Sequence, residues 1–146
     1  MRSFVAIATF TAIFFLSAFA SSHERKEIGG MQVVFGGEPE PVLDGEICNL
    51  TWRFADLETE EPVADLEAVT AKVMFEGEAF GPFNARSSRR NPGTYTTQHI
   101  FTKEGDGEVT LSFKKAGSDE VLTVSMKFAS SSAKIDRDPV ESLGKL

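Results

Sequence analysis

The sequence predicts an all-β protein: an immunoglobulin-like antiparallel β-sandwich of about seven strands, preceded by a signal peptide. Three observations carry that prediction. Apolar and polar residues alternate with a period of two, most clearly at Cys48, Leu50, Trp52 and Phe54 and again at Leu122, Val124, Met126 and Phe128. Turn signals rich in Gly, Pro and Asp recur roughly every ten residues. No stretch beyond the N-terminal segment carries apolar residues at a convincing helical spacing.

Residues 1–20 stand apart. Met1-Arg2 gives a positive start, Phe4 to Leu16 is an almost unbroken apolar run, and Ala18-Phe19-Ala20 ends in an A-x-A pattern before the chain turns polar. That is the layout of a secretory signal peptide cleaved after Ala20. The alternative is an uncleaved anchor, for which the apolar run sits at the short end. No cysteine follows the run, which excludes a lipid-anchored version. The mature chain is therefore read as exported, periplasmic or secreted, with no membrane span. Setting 20 of the 146 residues aside leaves 126, enough for one domain. Because Arg2 is the one charged residue removed, the net charge goes from −7 to −8. A chain this acidic is a poor partner for nucleic acid, whose phosphates require Lys and Arg.

Taken in order, residues 21–30 read as a flexible leader and Met31 to Phe35 as an edge strand. A proline-stiffened linker follows through Glu38-Pro39-Glu40-Pro41. Asp44-Gly45 is a turn. In the next strand Cys48, Leu50, Trp52 and Phe54 point inward, with Trp52 filling the space between sheets. The single cysteine of an exported chain has no internal disulfide partner, and its phase with Trp52 makes it a buried thiol. Asp56 to Glu61 is an acidic loop, and Asp65 to Val69 begins either a strand or a short helical turn. Ala71 to Phe75 is a strand. Glu76-Gly77-Glu78 turns into Ala79-Phe80, which continues to Phe83 past a bulge at Gly81-Pro82. Ala85 to Asn91 is a basic loop. The stretch Asn91 to Phe113 reads as an antiparallel hairpin: a Pro92-Gly93 turn, then Tyr95, Thr97, His99 and Phe101 on one face. The acidic glycine turn Glu104–Gly107 then leads to Val109, Leu111 and Phe113. Gly117-Ser118-Asp119 leads into the last strand. The domain thus spans residues 31–128, and 129–146 loses the alternation and reads as a disordered tail.

Leu50-Thr51-Trp52-Arg53-Phe54-Ala55-Asp56, Pro62-Val63-Ala64-Asp65-Leu66, and Pro92-Gly93-Thr94-Tyr95 with Phe101 and Gly105 together resemble a known family. The pattern is similar to the YtkA-like (FixH-related) domain, a small exported immunoglobulin-type sandwich, over roughly Met31 to Phe113. The resemblance implies an extracytoplasmic accessory or binding domain, in some members linked with copper handling or respiratory oxidase assembly. This chain lacks a methionine- or histidine-rich run, keeping only His99 with Met31, Met74 and Met126 in the domain.

Catalytic chemistry finds no constellation. A hydrolytic triad needs a histidine base placed by an acid, and of the two histidines, His23 lies in the leader and His99 shares a face with Tyr95 and Phe101. The chain is read as non-catalytic. Cleavage after Ala20 would expose Ser21-Ser22-His23, whose α-amine, two amides and imidazole supply four nitrogens in a square plane suited to Cu(II) or Ni(II). Asp56, Glu58, Glu60 and Glu61 could offer oxygens to Ca²⁺, yet lack the spacing of a dedicated calcium loop and read as a solvated turn. Arg86, Arg89 and Arg90 form the one basic cluster, which could steer an acidic partner. Asn49-Leu50-Thr51 is a glycosylation pattern placed mid-strand.

The expected function is an exported binding or assembly accessory module, contacting a protein partner through Asp56–Glu61 and Arg86–Asn91 and needing no cofactor. The alternative is a copper-handling protein using Ser21, Ser22 and His23. A purely structural cell-envelope protein is a third reading.

Overall fold

The computed structural model describes residues 24–132. In chain order the strands are β1 (Glu24–Ile28), β2 (Met31–Glu38), β3 (Val42–Leu43), β4 (Ile47–Asp56), β5 (Glu67–Phe75), β6 (Glu78–Asn84), β7 (Arg86–Ser87), β8 (Thr94–Ile100), β9 (Gly105–Lys114) and β10 (Val121–Ser131). They form two five-stranded sheets, β1-β2-β4-β8-β7 and β3-β10-β9-β5-β6. All named pairings are antiparallel except the short parallel contact of β3 with β10. The all-β sandwich expected from the alternation is therefore the fold.

Alternation places the core. Cys48, Leu50, Trp52 and Phe54 on β4 face Val109, Leu111 and Phe113 on β9, all at most 2% exposed. Trp52 lies 5.3 Å from Phe35, and Phe54 meets Phe113 edge-on at 5.0 Å and Tyr95 at 5.7 Å. Phe128 closes the same layer, contacting Phe35, Phe75 and Phe101. Each such ring contributes about 1.5–3 kcal/mol when fully buried.

Four expectations change. The stretch Asn91 to Phe113 is not a hairpin. Strand β8 pairs with β4 and β7, whereas β9 pairs with β5 and β10 in the opposite sheet. Residues 101–104 cross between the sheets, with Phe101 buried in the gap and its carbonyl accepting from Gly45 N at 2.7 Å. A glycine-containing turn between two alternating runs suits either path; the buried Phe101 decides for the crossover. Second, residues 24–28 of the expected flexible leader form β1, paired with β2 from Glu24↔Phe35 to Ile28↔Met31. Third, β2 consequently lies inside its sheet rather than at the edge. Fourth, β10 continues three residues into the expected tail, where Ser130 and Ser131 pair with β3. With β1, β3 and β7 added, the described residues hold ten strands instead of about seven. Asp65 to Val69 resolves as the entry to β5, and the expected irregularity at Gly81-Pro82 falls where the β5–β6 register shifts between Ala71 and Val73.

Candidate functional site

The two loops singled out by charge lie side by side at one end of the sandwich. After Asp56 the chain makes a tight turn: Asp56 Oδ1 accepts from Glu58 N at 2.9 Å and Thr59 N at 3.0 Å, and its carbonyl accepts from Glu60 N at 2.9 Å. These amide donors stabilise the ionised carboxylate and hold the Asp56 carboxyl below its ordinary range. Glu61 closes the turn by accepting from Asp56 N through its carbonyl, and Leu57 N reaches the Gly30 carbonyl in the β1–β2 turn. Glu58, Glu60 and Glu61 are left facing solvent.

The arginine loop is built from the other side. Ser88 Oγ accepts from Asn91 N at 3.1 Å, and Asn91 O accepts from Thr94 N at 3.1 Å across Pro92-Gly93. Gly93 has φ +82°, the value that the third position of a type II turn requires. A side chain there would also press on the Phe54 carbonyl and on Pro62. That close approach is the join between the loops: Phe54 N donates to Gly93 O at 2.8 Å, and Val63 N donates back to Phe54 O at 3.0 Å. Arg89 and Arg90 are exposed in this loop. Arg86 stands apart from them, within β7 opposite Thr96, where it lines a groove with Phe83 and Gln98.

Tyr95 fixes the acidic loop from beneath. Its ring is buried, and its hydroxyl accepts from Leu66 N at 3.1 Å and donates to Val63 O at 3.2 Å. Burial pushes the phenol above its ordinary pKa. A tyrosine early in its strand, bonded to the backbone of an upstream loop, is the corner device of immunoglobulin-type sandwiches. The sequence signal was the Gly93-Thr94-Tyr95 triplet, which marks the strand start but not the hydroxyl's partners.

The remaining candidates are structural. His99 packs among Phe80, Phe83 and Phe101, with ring centroids 5.3, 5.6 and 4.6 Å away, and burial lowers its pKa. Cys48 is 1% exposed, and burial raises its thiol pKa, leaving it protonated and unreactive. Cys48 and His99 are cross-strand partners in the β4–β8 register. Among the described residues no group of three or more His, Cys, Asp or Glu side chains is arranged to hold a metal ion. Ser21, Ser22 and His23 lie outside the described residues. No helix of the described residues is long and apolar enough to cross a membrane.

No protein-family model matches the chain, and no curated protein matches it in sequence. Solved structures do resemble it. One is a DUF4426 family protein from Pseudomonas aeruginosa, with a TM-score of 0.58 at 14% identity over 76% of this chain and 96% of that one. Another is a copper-bound variant of FetP from uropathogenic Escherichia coli, with a TM-score of 0.53 at 17% identity over 74% of this chain and 89% of that one. At these identities the likeness is one of fold, and it covers nearly the whole of both neighbours.

Proposed function

We propose that this chain is an exported, non-catalytic β-sandwich that serves as a binding or assembly module in the cell envelope or outside the cell. The observation that carries the reading is the pairing of the two charged loops at one end. An acidic turn and an arginine pair are held adjacent by the Phe54–Gly93 backbone bond and by Tyr95. Loops fixed on a rigid sandwich are a common recognition surface, and opposite charges side by side favour a partner with the complementary arrangement. The resemblance of the Leu50–Asp56, Pro62-Val63 and Pro92–Tyr95 motifs to YtkA-like domains supports an accessory role of this kind.

The test is a photo-crosslinking amino acid placed at Thr59, with Lys72 on the outer face of β5 as the control position. A discrete adduct at Thr59 is expected. It is lost when Arg89 and Arg90 are both changed to Glu and weakens as salt rises. Equal crosslinking from Lys72, or indifference to the charge reversal, would sink the reading.

A second reading rests on a separate observation. The Ser21-Ser22-His23 sequence, if exposed by cleavage, offers a square-planar nitrogen set, and a fold neighbour was solved with copper bound. A Cu(II) titration of the mature chain beside His23→Ala decides it. One-to-one binding lost in the variant supports copper handling; binding unchanged by the variant removes this site.

A further inference from the structure

We propose that the free C-terminal tail of a partner protein docks as an added strand on the open edge of β8, with its carboxylate held by Arg86. The edge is open because the chain changes sheets beside it. Strand β6 pairs with β5 as far as Asn84↔Thr70, Ala85 N still donates to Val69 O at 2.9 Å, and β7 then joins β8 in the other sheet. There β7 reaches only Tyr95 and Thr96. Main-chain groups alternate sides along an antiparallel strand. Thr94 O points to the β7 side, where it accepts from Ser88 N, and Phe101 O, of the opposite parity, accepts from Gly45 N just before β4. Gln98 and Ile100 share the parity of Thr94, so their N–H and C=O groups face the side on which no strand pairs with them. Both residues are exposed.

The surroundings of this edge name its occupant. An added strand finds room opposite Ile100, His99 and Gln98, and Ala85 stands where its next residue would go. The added chain must therefore end there. Antiparallel to β8, it runs in the direction of β7 and brings its C-terminus to Arg86. Parallel to β8, it would bring an ammonium to the same guanidinium. Arg86 is exposed, shares the outer face with its cross-strand partner Thr96, and makes no ion pair among the described residues. A carboxylate accepting from both Gln98 N and this guanidinium makes charge-assisted bonds. The penultimate side chain, opposite His99, turns inward between the sheets. Phe80 and Phe83 pack on His99 there and are only half-buried, so an apolar side chain, best an aromatic one, covers them. Strand addition to a sheet edge and capture of a terminal carboxylate are both recurring modes of peptide recognition. This surface uses neither the acidic turn nor Arg89 and Arg90, and it stands apart from the charged loops.

The experiment selects from randomised heptapeptides with free carboxyl termini on the full exported chain, then measures the best binder by fluorescence polarisation. Saturable one-to-one binding is expected, with apolar residues enriched at the penultimate position. The same peptide made as a C-terminal amide should bind about tenfold or more weakly. Arg86→Gln should weaken the acid by a similar factor and respond little to amidation. Hydrogen exchange of the Gln98 and Ile100 amides should slow when the peptide binds, while that of His99, already in the β4 ladder, changes little. The comparison of acid with amide is made on the parent chain, so it holds even where the variant is poorly folded. A selection that enriches no peptide, an amide that binds as tightly as the acid, or unchanged exchange at Gln98 and Ile100 would overturn the proposal.

Discussion

The hydroxyl of Tyr95 accepts the backbone N–H of Leu66 at 3.1 Å, joining the start of β8 to the segment that enters β5. The same hydroxyl donates to Val63 O, so one phenol satisfies a donor and an acceptor of a loop that has no strand partner at those positions. Removing it leaves a buried amide unpaired while the ring still fills its place. Tyr95→Phe is expected to cost about 1–3 kcal/mol. A urea melt checks this: the midpoint should fall with the slope unchanged. A variant as stable as the parent would show that water replaces the hydroxyl at no cost.

Tyr95 also carries a pH signature. Its folded-state pKa is raised by burial, so its stabilising contribution is complete below the ordinary tyrosine value of about 10 and is lost as pH rises through the folded value. The parent should therefore lose stability in strong alkali by a component that Tyr95→Phe lacks. Parallel alkaline melts in which the parent and Tyr95→Phe lose stability equally would refute this.

Asp56 runs the other way. Its carboxyl is held low by the Thr59 and Glu58 amides, so its contribution is present above the ordinary aspartate value of about 4 and disappears as pH falls through the folded value. Asp56→Ala should melt below the parent at neutral pH, and the two should converge in acid. A gap independent of pH would mean that the loop does not depend on the charge.

Gly107 faces Phe128 across the β9–β10 ladder, and a Cβ there would overlap the phenyl ring. Gly107→Ala is expected to cost about 1–3 kcal/mol through overpacking. Because the ring is the obstacle, the cost should shrink when the substitution is made in a Phe128→Ala background. Equal costs in both backgrounds would place the fault in the backbone instead.

Cys48 should be silent to thiol reagents in the native state and react at the rate of unfolding, since its sulfur is buried beneath the β2–β4 pair. Rapid native labelling by a disulfide reagent, timed against loss of Trp52 fluorescence, would contradict this.

Much of the architecture was legible because side-chain alternation is a local consequence of the pleated strand. The inward set on β4 and β10, the type II turn at Pro92-Gly93 and the bulge at Gly81-Pro82 follow from residues within a few positions of each other. So does the buried state of Cys48, whereas the packing of His99 among Phe80, Phe83 and Phe101 joins residues from two sheets and was not legible. The charged loops were visible as charge runs, but their adjacency was not. It depends on Phe54 and Gly93, 39 positions apart, sharing a hydrogen bond.

By itself, the sequence determined that this chain is an all-β sandwich with a particular inward face. Tertiary structure alone decided which strands pair. Glu24–Ile28 carries charges that conceal a strand until β2 offers it a partner, and its Ile28 then packs on the core. The turn before Gly105 suits a hairpin equally well until burial of Phe101 sends the chain across to the opposite sheet. The close approach of Val42 to Gly37, which leaves no room for a Cβ, likewise arises only when β3 is brought against β2. The physical reason is common to all three: each outcome is set by contacts between residues distant in the chain, and a periodic pattern along one strand does not encode its neighbour.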